Sequence, residues 1–220
     1  MTLEAIEIET GDDPRASVIV LHGLGADGDD FVPVCEALEL GAAGPVRFVL
    51  PHAPERPVTI NGGYVMRAWY DILGLGGASV EDESGLRASI GDVNALIARE
   101  VSRGVPPSRI ALVGFSQGCA IALATALRHA GPLAGVAGLS GYLPLAASTA
   151  AERSEASLAL PIFLAHGSDD DVVPIARGER SREALAALGH APEWHDYPMP
   201  HAVCDEEIAD LNRWLVRVLG

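Results

Sequence analysis

The sequence predicts an α/β fold, a mostly parallel central sheet flanked by helices. Short β-branched or apolar runs end in glycine or proline and alternate with longer amphipathic segments, the pattern of parallel strands joined by helical crossovers. The chain is 220 residues long, 49% hydrophobic, with 24 glycines and 15 prolines. A chain of this length buries roughly 70–75% of its unfolded surface. No linker composition divides it, so residues 1–220 are expected to form one domain.

Taken in order, Leu3 to Glu9 alternates polar and apolar as an exposed edge strand would, and Ser17 to His22 and Val46 to Leu50 are short apolar runs of buried-strand type. From Pro51 to Glu83 no period is clear, and a connection that long is expected to be a functional loop or a misread element, kept within the domain. Ser84 to Arg103 is the clearest helix: Leu86, Ile90, Val93, Ile97 and Val101 recur every three or four residues, and Gly104 and Pro106 stop it. Arg109 to Phe115 is a strand and Gln117 to His129 a helix. The uncharged stretch from Ala130 to Ala151 carries too many glycines and prolines for a membrane span. It is expected to hold a strand, Ala134 to Leu139, and then a loop. Pro161 to Ala165 and Glu193 to Tyr197 are the last strands, and Ala176 to Leu188 and Cys204 to Leu219 the last helices. The final helix sets Ile208, Leu211, Leu215 and Val218 on one face.

Composition excludes several chemistries. The net charge of −15 opposes binding to nucleic acid or an anionic membrane surface. All 15 basic residues are arginine, so there is no GxxxxGK phosphate loop, lysine Schiff base or Ser-Lys dyad. Cys35, Cys119 and Cys204 lie far apart without CxxC spacing, as buried reduced thiols would. The acidic start lacks the basic and apolar regions of a secretory signal, and a cytoplasmic protein without stable membrane insertion is the expectation.

The stretch "ALVGFSQGCAIAL" places Ser116 between Gly114 and Gly118, at a junction of apolar strand and helix. A GxSxG elbow needs that context, because the serine must project from a sharp strand-to-helix turn. Such a serine needs a base, and the base needs a carboxylate to orient it. "HGSDDDVVP" offers Asp169, Asp170 and Asp171 after a later strand, and spacing does not choose among them. His22, His52 and His166 each follow a strand and are expected to pack and bond to backbone. His129 and His190 sit near helix ends, at the expected surface, and His195 falls within a strand. That leaves His201, in the loop before the last helix, as the base. The amide of Gln117 and that of Leu24, from "LHGLG", are the expected oxyanion donors, Gln117 acting through its backbone more than its side chain.

Seven segments together, "VLHGLGADGDDF", "PHAPERPVTINGGYVMRAWYDILGL", "EDESGLRASI", "GFSQGCAIAL", "LSGYLPL", "HGSDDDVVP" and "MPHAVCDEE", resemble the small carboxylesterase, lysophospholipase and acyl-protein thioesterase family. The resemblance implies an α/β-hydrolase fold without a separate cap domain. It implies Ser116 as nucleophile, His201 as base and, from HGxxDxxVP, Asp170 as acid. It also implies Leu24 and Gln117 as oxyanion donors and an acyl channel touching Ile72, Leu73 and Leu75. Tyr142 stands where some relatives carry tryptophan, which bears on the channel's width.

The expected function is a serine hydrolase that cleaves carboxylic esters with short to medium acyl chains through an acyl-enzyme. Acyl-protein thioesterase or lysophospholipase activity through the same triad is the alternative, and a non-catalytic hydrolase-fold binding module the rival from another class. The expected partner is a small ester or thioester substrate and no nucleic acid, with the protein a monomer or homodimer. The mechanism requires no cofactor or metal, and no HExxH or clustered metal-ligand spacing occurs.

Overall fold

The computed structural model describes residues 3–74 and 81–220. Its strands are β1 (Ala5–Glu9), β2 (Ala16–Leu21), β3 (Val46–Pro51), β4 (Glu55–Val58), β5 (Tyr64–Arg67), β6 (Ile110–Phe115), β7 (Gly135–Leu139), β8 (Ile162–Gly167) and β9 (Glu193–Tyr197). Seven of them form a sheet in the order β1-β3-β2-β6-β7-β8-β9, and β4 pairs with β5 separately. Within the large sheet β1 runs antiparallel to β3 at the edge, and the remaining neighbours are parallel. The helices are α1 (Val32–Ala37), α2 (Glu83–Ser102), α3 (Gln117–Arg128), α4 (Ala146–Glu152), α5 (Ile175–Ala187) and α6 (Asp205–Leu219). This is the expected α/β-hydrolase architecture.

The apolar strand runs follow from burial on both faces. Ile19, Leu21, Ile110, Leu112, Val136 and Leu164 join side chains of α2, α3 and α5 in one core. Their neighbours Val18, Val20, Ala111, Val113, Ala137 and Phe163 join Cys35 of α1 and Leu211, Trp214 and Leu215 of α6 in the other. Each large aliphatic side chain so buried contributes about 1.5–3 kcal/mol. Slipping a strand by one residue would exchange the two sets, so these cores hold the register.

Several expectations are corrected. The connection from Pro51 to Glu83 is not all loop: it contains the hairpin β4–β5, reversed through Gly62 and Gly63, both at positive φ. The stretch after β7 holds the short helix α4 as well as a loop. On α2 the inward stripe continues through Leu96 and Glu100, while Val101 is exposed. Glu100 is completely buried and holds Arg47 at 2.8 Å and the Ser17 hydroxyl at 2.7 Å. His190 is buried, not at the surface. Cys35 and Cys119 are buried free thiols that burial pushes up to about 12, whereas Cys204 is only half-buried. Among the described residues no helix is long and apolar enough to cross a membrane.

Glu207, in the first turn of α6, is fully buried, and neither carboxylate oxygen has a hydrogen-bond partner of full geometry among the described residues. Burial pushes its carboxyl up to about 8, and the nearby Cys204 amide at the helix N-cap, short of a well-formed hydrogen bond, offsets only part of that. The native state therefore retains a proton that the unfolded chain loses in the ordinary carboxylate range. Stability should fall as pH rises from that range to about 8, because the unfolded state binds fewer protons throughout the window. Glu207→Gln removes the titration. In urea denaturation its advantage over wild type should be near zero at about pH 4.5 and on the order of 4 kcal/mol at pH 8. A difference that does not change with pH would assign the proton elsewhere.

Candidate active site

Ser116 forms the whole turn between β6 and α3, with φ 54° and ψ −116°. A non-glycine residue in such a conformation stores about 1–3 kcal/mol of strain. The turn is held by the Ser116 N–H, which donates to the Leu139 carbonyl of β7 at 2.9 Å. The flanking glycines are required by close approach. A Cβ on Gly114 would stand 2.3 Å from the Gly118 carbonyl oxygen, and one on Gly118 would stand 2.1 Å from the Leu21 oxygen.

The loop between β9 and α6 brings His201 to this turn. The Ser116 hydroxyl lies 2.9 Å from His201 Nε2, and His201 Nδ1 lies 2.7 Å from Asp170 Oδ2. Asp170 sits in the turn after β8, where its Oδ1 accepts the Val172 and Val173 N–H groups at 2.9 and 2.8 Å. These bonds aim the other oxygen at the imidazole, which places the Nδ1 hydrogen toward the carboxylate and leaves the Nε2 lone pair facing the serine. Asp169 and Asp171 are exposed. The Phe115 ring packs against His201 with centroids 4.7 Å apart.

His22, His52 and His166 bond to backbone as expected, His166 from within β8 rather than after it. His22 Nε2 accepts the Ala53 N–H at 3.0 Å, so Nδ1 carries the hydrogen and donates to the Gly23 carbonyl at 2.7 Å. Burial holds His22 below the usual histidine range, in keeping with that neutral tautomer. The Gly25 N–H donates to the Arg67 carbonyl at 2.9 Å, tying the loop after β2 to the hairpin. Burial likewise lowers His166, whose Nε2 donates to the Val173 carbonyl at 2.7 Å. His52 Nδ1 accepts the Gly28 N–H at 3.1 Å. Asp27, Asp29 and His52 have ligand atoms within 4.8 Å of one another. His52 is already engaged by the Gly28 amide, and Asp27 accepts the Asp29 N–H at 2.9 Å, bonds that shape the loop.

A cavity of about 240 Å³ opens at Ser116 and is shared by Leu24, Gln117, Ile72, Leu73 and Tyr142. Leu75, the remaining expected channel residue, lies outside the described residues. The Tyr142 hydroxyl meets that of Tyr70 at 2.7 Å, and the Arg177 guanidinium stands 3.6 Å over the Tyr142 ring. Sequence reasoning missed Tyr70 and Arg177, which the elements before α2 and at the start of α5 bring to the same cavity. It also undervalued the Gln117 side chain: Oε1 accepts the Trp69 N–H at 2.8 Å and Nε2 donates to the Tyr70 carbonyl at 2.7 Å. A single amide side chain opening a helix that is otherwise small or apolar as far as Arg128 was the available signal.

A family model described as phospholipase/carboxylesterase matches residues 3–219. Acyl-protein thioesterase 1 of Mycosarcoma maydis is 41% identical, covering 97% of this chain and 95% of the relative. Acyl-protein thioesterase 1 of Yarrowia lipolytica is 38% identical over 91% of this chain and 90% of that protein. The crystal structure of Zea mays acyl-protein thioesterase 2 superposes with a TM-score of 0.87 at 30% identity, covering 99% of this chain and all of that one, 100%.

Gly118→Ala tests the close approach at the turn. The added methyl meets backbone oxygens, which cannot rotate away as a side chain would, so the loss should be about 2–3 kcal/mol in urea denaturation. Gly91→Ala, where a Cβ meets nothing within 4 Å, should be neutral or stabilising. Equal stability of the two variants would refute the close-contact account.

Proposed function

The chain belongs to the phospholipase/carboxylesterase family, and we propose that it is a serine hydrolase of acyl thioesters that works through Ser116, His201 and Asp170. The observation that carries the proposal is the continuous chain from the Ser116 hydroxyl through His201 to Asp170, with both contacts under 3 Å at 2.9 and 2.7 Å. Oxygen esters were the first expectation from the sequence. The names carried by relatives 36–41% identical reverse that order and support the thioester.

In the proposed cycle His201 Nε2 takes the Ser116 proton as Oγ attacks the acyl carbonyl carbon. Asp170 keeps the proton on Nδ1 in place and stabilises the imidazolium. The amides of Leu24 and Gln117 receive the oxyanion, and the Gln117 amide also opens α3, whose N-terminal dipole favours negative charge there. Collapse breaks the C–S bond with its electron pair on sulfur, and the leaving thiolate takes the proton from His201 Nε2 to depart as the thiol. Water then attacks the acyl-serine by the same route, releasing the acid and restoring the hydroxyl. Three side chains, two amides and water move every proton and electron pair, so the cycle draws on no cofactor. The acyl chain is assigned to the cavity beside Ile72, Leu73 and Tyr142.

The test compares kcat/KM for a thioester and an oxygen ester of the same acyl chain, in wild type and variants. The thioester should be the better substrate. Ser116→Ala and His201→Ala should each lower turnover by about 10³-fold or more, as loss of a triad member does. Asp170→Asn should be far more damaging than Asp169→Asn or Asp171→Asn, because an amide facing Nδ1 favours the wrong tautomer. A fluorophosphonate should label wild type and fail on Ser116→Ala. Unchanged hydrolysis by folded Ser116→Ala would sink the mechanism, and a preference for the oxygen ester would restore the carboxylesterase order.

A further inference from the structure

The Gln117 side chain faces away from the reacting atoms yet is engaged at both ends. It is 3% exposed, and its carboxamide bonds two consecutive backbone groups, the Trp69 N–H and the Tyr70 carbonyl. From Tyr70 the chain runs directly into Asp71, Ile72, Leu73 and Gly74, all of which line the cavity that opens at Ser116. Residues 68–74 belong to no strand or helix. Ala68 and Ile72 find backbone partners, the Pro54 carbonyl and the Ile60 N–H, whereas between them the Trp69 N–H and carbonyl, the Tyr70 carbonyl and the Asp71 N–H bond to side chains.

Those partners form a short series. Ser89 of α2 donates its hydroxyl to the Trp69 carbonyl, and the Trp69 indole N–H donates to the His22 carbonyl at 2.9 Å, in the loop that carries Leu24. The Asp71 N–H donates to Asp82, the N-cap of α2, at 2.9 Å. Across the cavity Tyr70 meets Tyr142 through their hydroxyls. Gln117 alone in this series is covalently adjacent to the nucleophile. Its two bonds tie the start of the cavity wall to the residue beside Ser116.

We propose that the Gln117 carboxamide is a positioning residue for acyl-chain discrimination: it registers the wall formed by residues 70–74 against Ser116, so that longer acyl chains are held in line for attack. The proposal rests on the hydrolase reading above, in which the acyl group occupies this cavity. An acetyl group ends at the carbonyl and touches little of the wall, whereas an octanoyl chain must lie along it. Loosening the wall therefore acts on the long chain selectively. Damage to the nucleophile, base or oxyanion donors lowers both substrates together.

The experiment measures the ratio of kcat/KM for octanoyl and acetyl thioesters of one thiol in wild type, Gln117→Met, Gln117→Glu and Ser89→Ala. Gln117→Met preserves length but cannot bond either backbone group, and the ratio should fall about tenfold, mainly through a higher KM for octanoyl, since small misplacements near a reacting group carry effects of that size or larger. Ser89→Ala, remote from the reacting groups, should lower the ratio in the same direction by about threefold. A glutamate at this position restores both bonds only when protonated, because its hydroxyl must donate to Tyr70 while the other oxygen accepts from Trp69. Burial at this position pushes such a carboxyl up from its ordinary range of about 4.3, so the Gln117→Glu ratio should approach wild type at pH 6 and fall at pH 8. The wild-type ratio at the same two pH values accounts for His201 and for the charged groups that share the cavity, Asp71, Glu81, Asp82 and Arg177.

A ratio unchanged in Gln117→Met while both substrates decline would overturn the proposal, as would a Gln117→Glu ratio equally low at both pH values. Should Gln117→Met fail to fold, the pH profile of Gln117→Glu and the ratio in Ser89→Ala decide it. Failure of the parent reading looks different. Wild-type protein would then hydrolyse neither thioester and resist the fluorophosphonate, and this inference would fall with it.

Discussion

The close approach of the first turn of α3 to the carboxyl end of β2 is the constraint on which the site depends. It exists because Gly118 has no Cβ to meet the Leu21 and His22 carbonyls. With the helix seated there, one residue is left to join β6 to α3, and Ser116 must take a positive φ to do it. The same seating brings the Gln117 amide and the loop holding Leu24 to one cavity mouth. A larger side chain at position 118 would separate these groups together, since they share a single backbone contact.

Buried charge is handled in three ways, according to what each group does. Glu100 is held on Oε2 by Arg47 and Ser17 and on Oε1 by Arg103, and fastens the end of α2 to β2 and β3. Asp170 is held by two backbone amides on one oxygen, which leaves the second free to face His201. Glu207 has no hydrogen-bond partner of full geometry among the described residues, and burial shifts it toward its neutral form instead. A carboxylate satisfied on both oxygens is a structural tie. One satisfied on a single oxygen can orient a neighbour, and one satisfied on neither surrenders its charge.

Much of the fold was legible because the sheet is buried on both faces. Apolar runs closed by glycine or proline locate β2, β3, β6, β7 and β8 to within two residues, and β9 with its full bounds. The hairpin β4–β5 was not legible: its strands are four residues each, half-exposed, and one contains Pro57, so alternation is too brief to register. Its turn signal, Asn61-Gly62-Gly63, was present, but the apolar or β-branched residues beside it, Val58-Thr59-Ile60 and Tyr64-Val65-Met66, are only three to a side and show no alternation. Val101 misled in another way. Its spacing fits the α2 stripe, but the helix leaves the core where Glu100 meets Arg47, and only the placement of β3 determines that.

The sequence by itself determined the elements and the candidates: an elbow serine between two glycines, a later acidic turn and a histidine before the last helix. Local order carries that information, because strand, turn and helix signals are written in neighbouring residues. The tertiary structure decided which groups meet. Residue spacing treats Asp169, Asp170 and Asp171 alike, and the amides of Val172 and Val173 single out the middle one in three dimensions. Nothing near Gln117 in the chain announces a bond to Trp69 and Tyr70, 47 or 48 positions earlier. Such contacts form only when packing brings distant backbone groups to a side chain that needs partners, and a linear chain does not record that distance.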